Sequence, residues 1–371
     1  MAPLIAKSEF IGIEQAAHLA AGGEAPMLAS HVSAVSRFMF DKGVGMPGRE
    51  RMFDVVRDVR SGLGRLLGVA PKDIALMLNA GAGLHAAARG FDWRPGDNVV
   101  VARSEFPSLI HVWQALHGSP VEVRQVGNDI VPTIEDYASA VDSRTRAIAV
   151  SHVSYLTGAR QDLAALRALA DKHGARLIVD ASHALGVVPV PGELCDVVVS
   201  CSYKWLLATH GIGVFYVNSS RWPELAPEAV GWHSVIEEPD WRQRDGYRLK
   251  ADGQRFEQGN VAFASAYVLN NALGRLLQLD AGDVEAHSIE LGTILMEGLS
   301  RLGLAVTTPA SPAARAGNIS FNTPRSEEIE AALRARGILV WGGDGRIRIS
   351  VHAYNDENDV ARALDALADL A

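Results

Sequence analysis

Two neighbouring apolar runs carry the residues with the most chemical potential in this chain. Leu177-Ile-Val-Asp180-Ala-Ser-His183-Ala-Leu-Gly186 ends a strand-like run in an aspartate, and Asp196-Val-Val-Val-Ser-Cys-Ser-Tyr203-Lys204-Trp205 places a lysine just beyond the next one. If both runs are strands of a parallel sheet, Asp180 and Lys204 meet at its carboxyl edge, where ligands of α/β folds bind. A lysine amine there can form a Schiff base, and a buried aspartate can hold a pyridine nitrogen protonated. Together they describe a pyridoxal-phosphate site. Taken singly, Asp180 also reads as a helix N-cap, His183 as a hydrogen-bonded core histidine, and Lys204 as a loop lysine.

A second feature is the turn Asn79-Ala-Gly-Ala-Gly-Leu-His85 after the run Asp73–Leu78. A strand entering a helix through small residues exposes free backbone N–H groups at the positive end of the helix, which is a phosphate cradle. Gly81-x-Gly83-x-x-Ala86, with Glu105 further on, also matches a dinucleotide fingerprint, so an NAD-dependent oxidoreductase is the rival reading. Close helix-to-sheet packing is the third reading of the same glycines.

The elements that must position these groups follow from the pattern. Strand-like runs at 73–78, 97–103, 121–126, 146–153, 176–180, 196–201 and 213–218 alternate with helical patterns, which predicts an α/β fold. Asn98-Val-Val-Val-Ala102 and Val197-Val-Val-Ser200 are nearly continuous in apolar residues, as strands covered on both faces should be. The expected sheet is therefore mainly parallel, with helices on both faces. After an irregular stretch at 219–248 come long helices at 262–279 and 284–302, then strands at 317–321, 338–341 and 347–351 with helices at 326–336 and 357–370. The expected division is a large cofactor-binding part, 25–245, and a smaller α+β part made of 1–24 and 246–371.

Composition agrees with an ordinary globular protein. The chain has 371 residues, 48% hydrophobic and 21% charged, which suits about two domains with sizeable cores. A net charge of −8 without basic blocks argues against nucleic-acid or polybasic membrane contacts. No apolar stretch reaches the roughly 18 residues of a membrane span, and two cysteines, Cys195 and Cys201, make no disulfide framework. A cytoplasmic protein is the expectation, with both thiols read as buried and structural.

These motifs together resemble the class V aminotransferase family of fold type I pyridoxal-phosphate enzymes, which includes cysteine desulfurases, kynureninase and isopenicillin N epimerase. The resemblance rests on Asp180-x-x-His183-x-x-Gly186, Ser202-Tyr203-Lys204, Arg255-Phe-Glu-x-Gly259 and Arg348-Ile-Ser-Val-His-Ala-Tyr354-Asn355. It implies a seven-stranded sheet, pyridoxal 5′-phosphate as cofactor, a small amino-acid substrate and a homodimer with the site at the interface. It further implies that Lys204 carries the Schiff base and moves the proton at Cα, that Asp180 pairs with the pyridinium nitrogen, and that His183 touches the phenolic side. By the same resemblance Ala80 and Gly81 cradle the phosphate, Phe106 stacks on the ring, and Ser202 and Tyr203 face the phosphate. Asn260 stands where the family has a threonine reaching the phosphate across the dimer. Arg348 stands where the family binds the substrate carboxylate, a task suited to a planar guanidinium, with Arg346 on the same strand face as its rival.

The branch within the family is narrowed by departures. Desulfurases use a cysteine thiol in the C-terminal part, and no cysteine follows Cys201, so persulfide chemistry is not expected. His152-Val-Ser-Tyr155-Leu-Thr-Gly158, the Ser-Tyr-Lys triplet and Gly231-Trp232 look closest to kynureninase, which places Tyr155 and Trp232 among the candidate cofactor contacts. Amino-group transfer, cleavage at Cβ or Cγ and epimerisation all stay open. So does a family-derived binding protein that keeps the cofactor without catalysis, given Gly81 and Asn260 in place of the family's hydroxyl residues.

Overall fold

The computed structural model describes residues 1–116, 121–127, 130–236 and 246–370. The first 70 residues hold β1 (Ala17–His18), α1 (His31–Gly43) and α2 (Met46–Leu67). The alternating region follows: β2 (Ile74–Met77), α3 (Ala80–Arg89), β3 (Asn98–Ala102), α4 (Pro107–Gln114), β4 (Glu122–Val126), α5 (Ile134–Ala140), β5 (Thr145–Ser151), α6 (Leu163–His173), β6 (Arg176–Asp180), β7 (Val197–Cys201) and β8 (Gly213–Val217). The remainder holds α7 (Phe263–Leu276), α8 (Ala281–Arg301), β9 (Ala305–Val306), β10 (Asn318–Asn322), α9 (Ser326–Ala335), β11 (Ile338–Leu339), β12 (Trp341–Gly343), β13 (Arg346–Ser350) and α10 (Glu357–Ala368).

Seven strands form one sheet in the order β2-β8-β7-β6-β5-β3-β4, in which β8 alone runs against its neighbours. This is the mainly parallel seven-stranded sheet the sequence predicts. Successive side chains leave opposite faces of a strand. Val100, Ile148, Val179 and Val198 therefore pack with Leu63, Leu166 and Leu273 of α2, α6 and α7 on one face. Val99, Ala147, Ile178, Val197 and Phe215 pack with Leu84, Leu109 and Trp113 of α3 and α4 on the other. Burial on both faces is why these strands read as unbroken apolar runs.

A third core joins α8, α9 and α10 to a four-stranded antiparallel sheet in the order β12-β13-β10-β9. Residues 338–341, expected as one strand, are two: β11 pairs in parallel with β1, and β12 pairs with β13. The chain changes sheets at Val340. Helix α7 shares its core with the central sheet. The irregular stretch expected at 219–248 lies partly outside the described residues, at 237–245.

The glycine turn is settled by this topology. β2 lies at the edge of the sheet with an antiparallel neighbour, whereas the dinucleotide unit opens on an inner parallel strand. A Cβ on Gly83 would fall 2.9 Å from Val199 and 3.0 Å from Phe215, so this glycine lets α3 approach the sheet. Glu105, the acid of the rival reading, is buried with its Oε1 accepting the Ser151 N–H. The nicotinamide reading has no support in this arrangement.

Candidate active site

Strands β5 and β6 end level, with Ser151 in register with Asp180, and β7 runs two residues past Val199, the partner of Asp180; Ser151, Asp180 and Cys201 all line a cavity. Its volume is about 660 Å³. Eight residues expected at the site line it: Ala80, Gly81, Phe106, Tyr155, Asp180, His183, Tyr203 and Lys204. Residues separated by more than 100 positions thus meet at the predicted sheet edge.

Lys204 Nζ lies 3.1 Å from His183 Nε2 and 5.7 Å from the centre of the Phe106 ring. The other nitrogen of His183, Nδ1, meets the Nδ2 of Asn318 at 2.8 Å. Burial holds His183 well below the usual histidine range, and the Lys204 and Arg348 charges add to that effect. The ring is a neutral imidazole. Asp180 accepts the Ser182 N–H at 2.8 Å. Burial raises its carboxyl above the usual range despite the hydrogen bonds from Ser182 and the Lys204 charge. A buried carboxylate of this kind is stabilised by a cation beside it, as a protonated ring nitrogen would be.

At the other end of the cavity, the Asn79 side chain caps α3 by accepting the Ala82 N–H at 2.8 Å. The cap leaves the N–H groups of Ala80 and Gly81 at the cavity wall, at the positive end of the helix. Ring-binding groups at one end and an anion cradle at the other fit pyridoxal phosphate.

The backbone around Lys204 is fixed by the sequence motifs. Gly186 adopts φ +105°, and a Cβ there would fall 2.2 Å from the Trp205 carbonyl oxygen. The His352 ring meets that same oxygen through Nε2 at 2.9 Å. Leu207, fully buried, takes φ +55°, a left-handed conformation that only tight surroundings impose on leucine. Asn355 accepts the His352 N–H and donates to the His18 carbonyl, which anchors the C-terminal motif.

Arg348 is buried behind Tyr155 rather than in the cavity wall, donating to the Tyr155 carbonyl at 3.0 Å. Its guanidinium lies 5.2 Å from the Trp341 ring, and its Nε has no hydrogen-bond partner. Burial first, and then the Arg346 charge, bring it down to about 10. Arg346 lies over the Tyr155 ring at 5.4 Å, so both arginines border the same side of the site.

Three residues expected at the cofactor lie outside the cavity of the single chain. Ser202 does not face the cavity: it is fully buried, and its Oγ lies within hydrogen-bond distance of the Thr209 and Ile212 carbonyls. Trp232 is about half exposed and sits outside the cavity beside His233 and Arg49. Asn260 also lies outside it, accepting from Arg49 Nη2 at 2.9 Å. Cys201, expected to be only structural, lines the cavity floor, although burial raises its thiol.

Sequence reasoning gives Ser182, Asn318, His210 and Glu24 no role, and names Glu105 only for another ligand. Ser182 holds Asp180, and Asn318 holds His183 from a strand 135 residues away. Glu105 braces the end of β5. His210 stacks on Tyr203 at 4.0 Å and pairs with Glu24 at 2.9 Å at the cavity rim. The rim pair was the least accessible, because Glu24 lies in a segment without periodic pattern.

Comparison with known proteins agrees with this geometry. The chain is 25% identical over 311 residues to the uncharacterized aminotransferase YcbU of Bacillus subtilis, covering 83% of this chain and 82% of that one. It is 27% identical over 254 residues to kynureninase of Pseudomonas fluorescens, covering 65% and 59%. The fold superimposes on an apo cysteine desulfurase from Thermococcus onnurineus with a TM-score of 0.89 at 21% identity, covering 100% and 99%. It also superimposes on a C-DES mutant with glycine covalently linked to the pyridoxal-phosphate cofactor, with a TM-score of 0.90 at 22% identity over 98% and 99%. The model of the class-V aminotransferases matches residues 46–363, and the chain belongs to that family.

Proposed function

We propose that this chain is a pyridoxal-phosphate enzyme acting on an amino acid, by amino-group transfer or by kynureninase-like cleavage at Cβ or Cγ, with epimerisation as the alternative outcome at the same Cα. The observation that carries the reading is the amine of Lys204 beside His183 and the buried Asp180, in a cavity whose far wall is the N-terminus of α3. When bound, the cofactor supplies an electron sink for the bond broken at Cα. The chain supplies the rest. Lys204 is the attachment lysine and the base for the Cα proton. Asp180 keeps the ring nitrogen protonated, Ala80 and Gly81 hold the phosphate through backbone N–H groups, and Phe106 and Tyr155 exclude water from one face. Arg348, or its rival Arg346 on the same side of the site, is assigned to the substrate carboxylate.

Persulfide chemistry is outside this proposal. Both cysteines are buried, burial pushes Cys195 up to about 12, and no cysteine follows Cys201. We further propose a homodimer. Val32, Met39, Phe40 and Met46 of α1 and α2 and Leu78 beside the cavity are exposed apolar side chains, and Asn260 and Trp232 sit on the surface, where a second copy could use them. The two-part division at 25–245 and a cytoplasmic setting belong to the same proposal. Among the described residues no helix is long and apolar enough to cross a membrane.

The test is direct. Protein loaded with pyridoxal phosphate should be yellow, and borohydride should fix the cofactor to Lys204. Lys204→Ala should lose both properties. A panel of amino acids with an added keto acid, read by mass spectrometry, separates transfer (a new amine) from cleavage (a fragment). A protein that binds no pyridoxal phosphate at all overturns the proposal.

A further inference from the structure

The hydrogen-bond polarity around His183 can be worked out atom by atom. A neutral imidazole has one N–H and one lone pair, so assigning either nitrogen fixes the other. Nδ1 of His183 faces Asn318 Nδ2 at 2.8 Å, and the Oδ1 of the same amide is taken by Ser350 Oγ at 2.7 Å. An amide nitrogen only donates, so in this amide orientation Nδ1 holds the lone pair and Nε2 the hydrogen. Nε2 is the atom 3.1 Å from Lys204 Nζ.

The Asn318 side chain is also confined. It is fully buried, a Cβ on Gly22 would fall 2.6 Å from its Oδ1, and a Cβ on Gly158 would fall 3.0 Å from its own Cβ. Two glycine backbones leave it one place to sit. Its strand, β10, pairs with β13 so that Asn318 lies opposite Ser350, which is why the Oδ1 partner is where it is.

We propose that Asn318 is a positioning residue that locks His183 as the Nε2–H tautomer, so that the imidazole presents a hydrogen-bond donor to Lys204 and the reacting end of the cavity. The inference rests on Lys204 being the reactive lysine. Nε2–H can donate to Nζ only while Nζ is an amine with a free lone pair, since an ammonium has none. The burial that keeps His183 neutral prevents the second protonation that would erase the distinction. The opposite amide rotamer would put Oδ1 against Nδ1 and require Nδ1–H, so the two possibilities give opposite tautomers.

The experiment is 15N NMR of the full-length protein labelled at histidine, with and without pyridoxal phosphate, the His183 signals being identified by their loss in His183→Gln. The expected result at neutral pH is an acceptor-type Nδ1 and a protonated Nε2. In Asn318→Asp the carboxylate can only accept, and Nδ1 should become protonated. A wild-type Nδ1–H tautomer overturns the proposal, and so does a tautomer unchanged in the Asp variant. If the variant does not fold, the wild-type spectrum alone decides. Because the tautomer is read without turnover, its failure is distinct from a failure of the cofactor test at Lys204.

Discussion

Glu105 carries a pH-dependent cost to the folded state that can be worked from this structure. It is 8% exposed, its Oε1 accepts the Ser151 N–H at 2.8 Å, and its Oε2 meets the Ser151 hydroxyl. Burial, with a smaller push from Asp180, raises its carboxyl from the usual 4.5 to about 7 against the hydrogen bonds from Ser151. One pH unit of difference between folded and unfolded chains is about 1.4 kcal/mol, so the native state loses about 3 kcal/mol as pH rises from 4.5 through 7. Below that window both states hold the proton and nothing is lost. Above it both have released the proton and the loss is complete. Buried neutral histidines act the other way. His18, His31 and His352, lowered to about 4, and His152, lowered to about 3, cost stability as pH falls below 6.5. The raw stability curve mixes the two, and only a difference isolates Glu105. Glu105→Gln keeps both contacts, since its oxygen accepts from the Ser151 N–H and its amide donates to the hydroxyl, as the protonated acid would. Urea denaturation at equal protein concentration should show the variant gaining on the wild type by up to about 3 kcal/mol between pH 4.5 and 8. A difference that stays flat across that range refutes the reasoning.

Three further outcomes follow from single contacts. Gly186→Ala places a Cβ against the Trp205 carbonyl at a φ suited to glycine, and thermal unfolding should show a loss of roughly 3 kcal/mol or more. Glu257→Gln removes the charge that faces buried Arg60 across 2.7 Å while sparing the bond from the Leu76 N–H, and should cost about 3 to 5 kcal/mol in urea titration. Arg348→Gln should raise KM for the amino acid by roughly 30-fold or more with a smaller change in kcat, and if Arg346→Gln has that effect instead, the carboxylate is bound by Arg346.

The central sheet was readable because its strands are buried on both faces. All seven lie within two residues of the runs seen in the sequence, from β2 to β8. Helix α1 gave no comparable signal, and the reason is physical: its buried residues are His31 and Asp41, while Val32, Met39 and Phe40 are exposed. Its apolar residues are split, with Ala34, Val35 and Phe38 packed inward and Val32, Met39 and Phe40 exposed, so a search for one inward stripe passes over it. At the site, Asp180 and Lys204 were legible because strand ends place them, and Ala80 and Gly81 because a strand-to-helix turn does. Ser202 shares a triplet with Lys204, yet its buried hydroxyl is turned toward the Thr209 and Ile212 carbonyls. Asn318 carried no local signal, since its role exists only where β10 passes His183. Glu105 was seen but assigned to the wrong ligand, because spacing alone cannot tell a ribose-binding acid from a buried brace.

The C-terminal motif shows how the smaller sheet is tied to the chemistry. Arg348, Ser350 and His352 alternate along β13 and its extension, so their side chains leave the chain on one side. Each reaches a different part of the site. Arg348 donates to the carbonyl of Tyr155, Ser350 holds the amide that orients His183, and His352 holds the carbonyl that follows Lys204. A displacement of β13 would therefore move the Tyr155 carbonyl, the Asn318 amide beside His183 and the Trp205 carbonyl after Lys204 together. Gly186 and Gly158 are the counterparts on the large sheet's side, each bare of a Cβ where the C-terminal part or the lysine loop comes within 2.2 Å of the position that atom would take. The motif is thus a register device, and substitutions along it should perturb binding and chemistry jointly even where no side chain touches the substrate.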